Sequence, residues 1–565
     1  MASFKLVSLK DFIPRTFELF SKKQEKKYSW NSLGKDCISG ITVGIIALPL
    51  AMAFGIAAGG TPAQGLYTAV FAGFFISFLG GSKYQIGGPT GAFVVIIYGI
   101  ITRHGMDGLV IATILAGIML IIMGLSGLGR FIKYIPYPVT TGFTTGIGVL
   151  IFSQQIKDFF GLSIEKSSPE FFEKWSEYIH SAASFNGLTF AIGTGTILVI
   201  VIARKFIPRI PGAVIGVVIS TVVCAAFSLP VDTIGSRFGG IPSSLPIPSI
   251  PRMNISLINK LIPDAFTIAL LAAIESLLSA VVADGMTGDK HKGNVELAAQ
   301  GVGNIASGLF CGIPATGAIA RTAANIKSGA TSPVSGMIHA IFLVLFIYFL
   351  SPIASLIPLA SLSAVLMTVA WDMSNLGRFT SIIRRAPKSD SLVLLTTFVL
   401  TVVVDLTFAV EVGMVLAIFL FFKRMIDVGN IKIEETKITD QIIYENSEDH
   451  IGQQEQQKGI EIFEINGPFF FGVADLLQDT LKRVSRSPHT FILRMRAVPA
   501  VDATGIAALE SFLAQCRRRK IKLILCEIQK QPRKALAKTG FIDELGEDCV
   551  QDSLKAAISL AGKTQ

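Results

Sequence analysis

The chain has 565 residues, of which 51% are hydrophobic and 16% are charged, and its mean hydropathy is +0.59. Such an apolar composition lies outside the range of water-soluble domains and predicts a protein that crosses the membrane several times. The net charge of +10 does not indicate nucleic-acid binding, because the basic residues are spread over short loops between apolar segments.

The N-terminal segment, residues 1–35, is polar and carries four lysines between positions 22 and 27. It has neither the apolar stretch nor the cleavage site of a signal peptide, so we expect it to stay in the cytoplasm. The cysteines are scattered without CxxC or Cys/His clusters, which predicts reduced thiols, no metal site and no cofactor. They are Cys37, Cys224, Cys311, Cys516, Cys526 and Cys549.

Apolar segments between residues 36 and 428 predict fourteen membrane helices in two sets of seven. The third member of each set is short, and about 12 residues rise only about 18 Å, which is half of a membrane. The first set is predicted at 36–57, 62–80, 91–102, 107–127, 134–160, 187–205 and 210–228. The second set is predicted at 263–284, 294–312, 317–326, 332–351, 355–371, 389–405 and 406–423.

The loops that follow even-numbered helices are all basic, whereas several odd loops carry no charge. The positive-inside rule therefore places the even loops and both termini in the cytoplasm. Seven helices per half is an odd number, so the second half is expected to run inverted relative to the first. The basic loop residues are Lys83, Arg130, Lys133, Arg204, Lys205, Arg209, Lys290, Lys292, Lys327, Arg378, Arg384, Arg385, Lys423 and Arg424.

After the last apolar segment, residues 429–458 form a polar linker, and residues 459–562 change character. The stretches IEIFEIN, TFILRMR and KLILCEI predict short strands. The stretches LLQDTLKRVS, GIAALESFLAQCRRR and PRKALAKTG predict amphipathic helices. Together they indicate a small cytoplasmic α/β domain.

Both short helices are interrupted at their start, by Pro89, Thr90 and Gly91 in the first half and by Ala315, Thr316 and Gly317 in the second. Non-helical backbone inside a bilayer is tolerated where it lines a cavity, and paired breaks in inverted repeats place the binding site at the midplane. Each helix N-terminus carries about half a positive charge and free N–H groups.

Small residues near these tips, including Ala92, Ala318 and Ala320, leave the N–H groups accessible, and Arg321 adds a full positive charge. The pattern predicts a site for an anion. The alternative is that Pro and Gly only kink two packed helices and that Arg321 neutralises a buried carboxylate. The matched pair of breaks beside an intramembrane arginine favours the binding site.

Glu275 lies in the apolar stretch TIALLAAIESLLSAVVAD, and Ser279 follows one turn later on the same helix face. An intramembrane carboxylate commonly relays protons or ions, so we interpret the pair as an ion-coupling site. The alternative is a fixed ion pair between Glu275 and Arg321. In the first helix Pro49 predicts a kink, with Phe54 one turn beyond as a third wall of the site.

Four stretches make the chain resemble the SulP anion permeases. They are GITVGIIALPLAMAFGIAAGGTPAQGLYTAVFAGF, GGPTGAF, AAIESLLSAVVADGMTGDKHKGNVELAAQGVGNI and ATGAIARTAANIKSGATSPVSG. The resemblance extends over residues 30 to 560 and is greatest to the bacterial C4-dicarboxylate members. The stretches INGPFFFG and VPAVDATGIAALES in the C-terminal region resemble a STAS domain.

The resemblance implies an α-helical polytopic membrane protein with a 7+7 inverted repeat, divided into a core (helices 1–4 and 8–11) and a gate (helices 5–7 and 12–14). It also implies elevator-like movement of the core against the gate, and a homodimer. The substrate anion would lie between the third and tenth helices. The positions that match the substrate site are Phe54, Thr90, Gly91, Ala92, Ala318, Ala320 and Arg321.

This chain departs from the family pattern at several positions. Some exchangers of the family carry hydroxyl or amide side chains at the anion site. The matching positions in this chain are Ala47, Leu50, Ala318 and Ala320, so the selectivity of those exchangers cannot be transferred to it. Sodium-coupled bicarbonate members carry Asp where this chain has Glu275, which favours the proton as coupling ion.

In related STAS proteins a phosphorylated Ser follows the Asp, but Ala503 follows Asp502 here. Thr504 is the neighbouring hydroxyl that could take a regulatory phosphate. The alternative is that Asp502 only caps a helix, because Asp is a good N-cap residue. For the domain as a whole we expect regulation or dimer contact.

The leading hypothesis is a secondary active transporter of dicarboxylate, sulfate or a related oxyanion, coupled to protons, in the bacterial inner membrane. An anion channel and a sodium-coupled bicarbonate transporter are the alternatives within transport. A membrane anchor for a STAS signalling module is the alternative from another class. The expected partners are a small anion, a proton or Na⁺, membrane lipid and a cytoplasmic protein. An enzyme is not expected, because the sequence shows no pattern of a nucleophile paired with a base.

Overall fold

A computed structural model describes residues 12–19, 28–130, 136–164, 168, 170–206, 211–249, 251, 255–404, 406–428, 460–467, 469 and 488–562. The chain divides into two compact units, Met1–Ala417 and Ile418–Gln565. The predicted linker 429–458 and the predicted helix LLQDTLKRVS lie outside the described residues.

The membrane part consists of helical segments that we number α1 to α14, and the two predicted sets of seven are confirmed. Helices α3 and α4 share the stretch Gly91–Leu125 and are divided by Gly105, whose backbone is not helical (φ 70°, ψ −173°). The other segments are α1 Trp30–Ala57, α2 Pro62–Leu79, α5 Tyr137–Phe160, α6 Gly187–Phe206, α7 Gly212–Ala226, α8 Ile255–Thr287, α9 Gly293–Leu309, α10 Ile319–Lys327, α11 Val334–Ala354, α12 Leu359–Ser374, α13 Lys388–Val403 and α14 Leu406–Val428.

Seven helical stretches among the described residues are each long and apolar enough to cross a bilayer. Two two-residue strands, β1 Gly87–Gly88 and β2 Thr316–Gly317, immediately precede the region of α3 and α10. The prediction that α10 begins at residue 317 was therefore wrong by two residues, because Gly317 is engaged in a strand and the helix starts at Ile319.

The helices pack in two groups that match the predicted core and gate. In the core, α11 packs on α1 and α2, and α9 packs on α2 and on the Gly91–Leu125 stretch. In the gate, α5 packs on α12 and α13, and α6 packs on α7 and α12. Fewer contacts join the groups, chiefly α1 with α12.

Four short helices lie in segments where the sequence pattern predicts loops or polar tails. They are Arg15–Glu18, Phe171–His180, Ile234–Phe238 and Leu376–Arg385. Their polar faces hide them from a search for long apolar runs, because an amphipathic helix lies along a surface instead of crossing the membrane. Helix α1 also begins earlier than predicted, where the Ser29 side chain accepts a hydrogen bond from the Ser32 amide at 3.2 Å.

The C-terminal unit has a four-stranded parallel sheet in the order β3–β4–β5–β6, with strands β3 Ile460–Asn466, β4 Thr490–Ala497, β5 Lys522–Cys526 and β6 Val550–Gln551. Its described helices are α15 Ala503–Arg518, α16 Lys530–Lys538, α17 Phe541–Leu545 and α18 Leu554–Gly562. In its buried core Phe463 stacks on Phe491, and Phe512 meets Phe491 edge to face. The predicted α/β character is confirmed.

Helices α4 and α9 cross at their closest approach through one glycine from each. A Cβ atom on Gly117 would lie 2.6 Å from the Gly301 carbonyl oxygen, and a Cβ atom on Gly301 would lie 2.5 Å from the Gly117 carbonyl oxygen. Neither backbone can yield without separating the helices. Two adjacent segments of the core are therefore joined with no space for a side chain.

Gly301→Ala is expected to destabilise the membrane domain by about 1–3 kcal/mol, the usual cost of forcing extra volume into a packed core. Thermal unfolding of the purified protein in nanodiscs measures this as a lower Tm. Gly195→Ala on α6 is the matched control, because no atom lies within 4 Å of the added Cβ. Equal melting temperatures for both variants would contradict the close crossing.

Candidate functional site

The starts of the two half-helices are held together by backbone pairing. Strands β1 and β2 run antiparallel, with Gly87 opposite Gly317 and Gly88 opposite Thr316. The Ala318 amide also donates to the Ile86 carbonyl oxygen at 2.9 Å. Helices α3 and α10 therefore both begin beside this strand pair, as the matched breaks in the sequence predict.

Neither half-helix is capped by its own N-cap side chain. Thr90 is the N-cap residue of α3 and Ala318 that of α10, and no side-chain capping hydrogen bond is made at either end. Because the first N–H groups of a helix have no partner within the helix, both tips keep donors for a ligand. The two tips together form a place of positive potential within the membrane domain.

Side chains from neighbouring helices hold the irregular segment before α10. The Asn304 side chain accepts from the Ala315 amide at 2.9 Å and donates to the Ala315 carbonyl oxygen at 2.8 Å. The Thr68 hydroxyl accepts from the Ile313 amide at 2.7 Å, and the Thr316 hydroxyl donates to the Ala272 carbonyl oxygen at 3.0 Å. The Asn304 and Thr68 bonds replace the water that extended backbone would need inside a bilayer, and the Thr316 bond ties the segment to α8.

Arg321 lies one turn into α10 and is 2% exposed. Its Nη2 donates to the Pro89 carbonyl oxygen, which fixes the guanidinium beside the start of α3. Its Nη1 is buried and has no hydrogen-bond partner among the described residues. A Cβ atom on Gly88 would lie 2.5 Å from Nη1, and the φ of 152° at Gly88 also favours glycine. The arginine thus reaches across the strand pair from the second half of the repeat to the first.

Glu275 on α8 is half-buried, and its Oε2 accepts a hydrogen bond from the Thr90 hydroxyl at 3.1 Å. The structure does not contain the alternative arrangement, a fixed ion pair between Glu275 and Arg321. Both residues lie in the described part of the chain, and Arg321 contacts Pro89 whereas Glu275 contacts Thr90. The two charges are therefore both beside the helix tips without cancelling each other.

Ser279 is buried one turn beyond Glu275, but its hydroxyl points to another partner. It donates to the Thr322 hydroxyl at 3.0 Å, and that oxygen accepts from the Ile86 amide at 3.2 Å. Ser279 therefore links α8 to α10 and to the chain before β1. Helical spacing predicted the shared face, but the contact with Thr322 depends on packing between distant segments.

The remaining predicted site residues differ in exposure. Phe54 is buried against Gly91, where an added Cβ atom would lie 3.3 Å from the ring carbon Cε1. Ala92 and Ala318 are buried, whereas Ala320 is exposed. Phe54 thus walls the start of α3, and Ala320 lies on the open side of α10.

Two buried polar side chains near the paired strands β1 and β2 are not among the predicted site residues. The Gln85 amide lies against Gly317, and His339 on α11 lies near Gly73; none of their side-chain nitrogen and oxygen atoms has a partner among the described residues. A polar residue within an apolar stretch, such as His339 in GMIHAIFLV, is the signal that could have found them. Within the described residues, no group of three or more His, Cys, Asp or Glu could hold a metal ion.

In the C-terminal unit Asp502 is the N-cap residue of α15. Its Oδ1 accepts from the Gly505 amide at 2.7 Å, and a Cβ atom at Gly505 would lie 2.3 Å from the Phe469 carbonyl oxygen. The Thr504 side chain is exposed. The geometry of Asp502 is that of a helix cap.

The architecture is that of a helical membrane transporter with an inverted repeat and an appended α/β domain. Residues 33–397 match the sulfate permease family and residues 453–557 match the STAS domain. The YvdB protein of Bacillus subtilis (strain 168) is 43% identical over 92% of this chain and 96% of its own length. The chain belongs to the sulfate permease (SulP) family.

Two further relatives support the same assignment. The bicarbonate transporter BicA of Picosynechococcus sp. (strain ATCC 27264 / PCC 7002 / PR-6) is 29% identical over 94% of this chain and 96% of its own length. The structure of the murine Slc26a9 anion transporter, in its inward-facing state, has the same fold with a TM-score of 0.84 at 19% identity, covering 100% of this chain and 96% of that one. As a member of the sulfate permease family, the protein is a multi-pass anion transporter and not an enzyme.

Asn304→Leu removes both hydrogen bonds to Ala315 without changing the size of the side chain much. Each orphaned buried backbone group costs about 1–3 kcal/mol, so we expect a lower Tm and weaker sulfate binding by the purified protein. Asn294→Leu, the same change on the same helix but away from Ala315, is the control. The role of Asn304 would be refuted if both variants bound sulfate equally well.

Proposed function

We propose that this chain is a secondary active transporter of a small oxyanion, driven by protons, with the anion held between the N-termini of α3 and α10. The observation that carries the proposal is the pair of uncapped helix tips beside the buried guanidinium of Arg321. A bare positive centre of this kind within the membrane is costly unless an anion shares it.

The free N–H groups at Gly91 and Ile319 and the charge of Arg321 supply donors and positive potential for the anion. Phe54 closes the site on the side of α1, and its ring excludes water from one face of the anion. Because Ala318 and Ala320 provide no side-chain donors, selectivity among anions would depend mainly on size and charge. This fits a carrier of compact oxyanions.

Glu275 supplies the coupling in this proposal. When its carboxylate is ionised, it accepts from Thr90 and repels a second negative charge beside it. When the carboxylate binds a proton, the repulsion is lost and the anion can enter the same region. Proton and anion would therefore bind together, and the pair would cross with less net charge than the anion alone.

Movement of the core relative to the gate is the proposed transport step. The site residues on α1, α3, α8 and α10 all belong to the core, and close helix packing such as that between α4 and α9 lets the core move as one body. Gate helices α5 and α12 contact the site at Gly91 through Ile151 and Met373. An elevator-like displacement would carry the anion past these side chains.

Sulfate is the first candidate substrate, from the family description, and dicarboxylate is the second, from the resemblance. Bicarbonate is a further candidate, because BicA is similar over nearly the whole chain. Uptake into proteoliposomes with a competition panel of sulfate, bicarbonate, chloride, fumarate and succinate separates them. Saturating uptake that follows a pH gradient fits a carrier, whereas conductance of many ions per opening would indicate a channel.

Arg321→Ala is expected to lower anion affinity at least about tenfold, since a hydrogen bond to a charged group contributes about 1.5–3 kcal/mol. Equilibrium binding of the anion selected by the panel measures it, and Arg321→Lys should retain part of the affinity because it keeps the charge. Arg204→Ala, which breaks an exposed ion pair with Asp372, is the control. Undiminished affinity in folded Arg321→Ala protein would reject the site.

Glu275→Gln is expected to abolish accumulation driven by a pH gradient while exchange of anion for anion continues. The amide keeps a hydrogen-bond partner for Thr90 but neither ionises nor carries the proton. Glu411→Gln, a change of an exposed residue on α14, is the control. If Glu275→Gln still accumulated anion to the wild-type level, coupling would have to lie elsewhere; a sodium gradient is tested in the same assay.

The remaining proposals concern assembly and location. We place the protein in the bacterial inner membrane, with both termini in the cytoplasm, as a homodimer that contacts a cytoplasmic partner through its STAS domain. A signalling module that merely uses the membrane part as an anchor is the rival function. Removal of residues 429–565 distinguishes them, because a transporter should retain uptake without the module.

A further inference from the structure

A cavity of about 790 Å³ lies at one end of the seam between the core and the gate. Core residues Gly59 and Tyr98 line one side, and gate residues from α5 and from the short helix Ile234–Phe238 line the other. The amphipathic helix Phe171–His180 contributes Lys174. In the proposed topology these segments lie at the end of the membrane domain opposite the cytoplasmic loops.

Lys174 is the unusual member of this lining. It is 5% exposed, and its ammonium group lies over the ring of Tyr98 at 5.2 Å from the ring centre. Its ammonium group forms no ion pair or hydrogen bond with another residue of the described ranges. Burying an ammonium group without a carboxylate is costly, and a cation–π contact offsets only part of that cost.

The nearby charged groups leave the cavity positive. Arg237 forms an ion pair with Asp158, so these two charges offset each other. Lys157 has no such carboxylate partner among the described residues and donates to the Ile164 carbonyl oxygen. Glu177 is a further acid close enough to act on both Lys157 and Lys174, and its carboxylate accepts from the Ser168 amide at 3.1 Å and 3.2 Å. Two ammonium groups, those of Lys157 and Lys174, thus face a space large enough for several small anions.

We propose that this cavity is a second anion site, an entry vestibule in which Lys174 holds a small inorganic oxyanion before it reaches the helix tips. The site deepens the proposed transport function, on which it rests, by naming where the anion first binds. Its ligand class is defined by the two ammonium groups, which attract oxyanions and repel cations. Because the cavity lies between core and gate, movement of the core would bring this anion into contact with the inner site.

The pH range of the vestibule follows from the same environment. Burial lowers the pKa of Lys174 to about 8, while the carboxylate of Glu177 acts in the opposite direction. The ammonium form, which binds the anion, is therefore present below that pH and is lost as the pH rises above it. Among the described residues that line the cavity, the other titratable groups are Tyr98, Tyr178, Lys157, Arg237 and Asp158.

Acetylation of lysines by acetic anhydride, read by mass spectrometry on the purified full-length protein in nanodiscs, tests the site. The reagent is neutral, and only the unprotonated amine attacks it, which forms the amide and releases acetate and a proton. Sodium sulfate is the probe, with ionic strength held constant by sodium gluconate. Sulfate should slow acetylation of Lys174 about tenfold near pH 8, because a neighbouring anion favours the protonated amine. Lys260, exposed at the same end of α8, is the internal control and should not respond.

The same experiment on Arg321→Ala separates the vestibule from the inner site. Protection of Lys174 in both proteins supports the vestibule, and its persistence without Arg321 shows that it does not depend on binding at the helix tips. Protection in the wild-type protein alone would assign the effect to the inner site and overturn the vestibule. Absence of protection in both, equal protection of Lys260, or failure of Lys174 to react at any pH would also overturn it.

Discussion

The structure of the site depends on one constraint, that irregular backbone within a membrane must find hydrogen-bond partners in the protein. Strands β1 and β2 meet this need by pairing with each other. The side chains of Asn304 and Thr68 satisfy backbone groups in the segment before β2. Because the pairing joins the two halves of the inverted repeat, it also determines that the tips of α3 and α10 face a common point. The positive site is thus a consequence of how the backbone is satisfied.

The second feature of the site is that its opposite charges are kept apart. Arg321 is bound to a carbonyl oxygen and Glu275 to a hydroxyl group, and both partners lie at the start of α3. A direct ion pair would have neutralised both groups and left little attraction for an anion. Separate partners leave the guanidinium to attract an anion and the carboxylate to take a proton. The proposed coupling of anion and proton rests on this separation of the two charges.

The proposed vestibule and the inner site attract an anion in the same way. In each, a cation is buried without a carboxylate partner among the described residues, and in each its environment comes from more than one helix. Lys174 is held over the ring of Tyr98, and Arg321 is held by the backbone of Pro89. Lys174 lines a cavity between core and gate, and Gly91 near the inner site meets the gate residues Ile151 and Met373, so a relative movement of core and gate would change the surroundings of the anion at either place. An anion moving between them would pass from a partly hydrated site to one formed largely by backbone donors.

The sequence by itself determined the class of the protein, the fourteen segments, the matched breaks and the residues that carry charge into the membrane, because apolar length, proline, glycine and buried charge are local signals. It also predicted that Glu275 and Ser279 share a helix face. Only the tertiary structure decided that Glu275 binds Thr90 and not Arg321, that Ser279 binds Thr322, and that β1 pairs with β2. It alone brought Lys174 from a short amphipathic helix to the ring of Tyr98. Those partners are far apart in the chain, and which of them meet depends on how the helices pack, which no local pattern records.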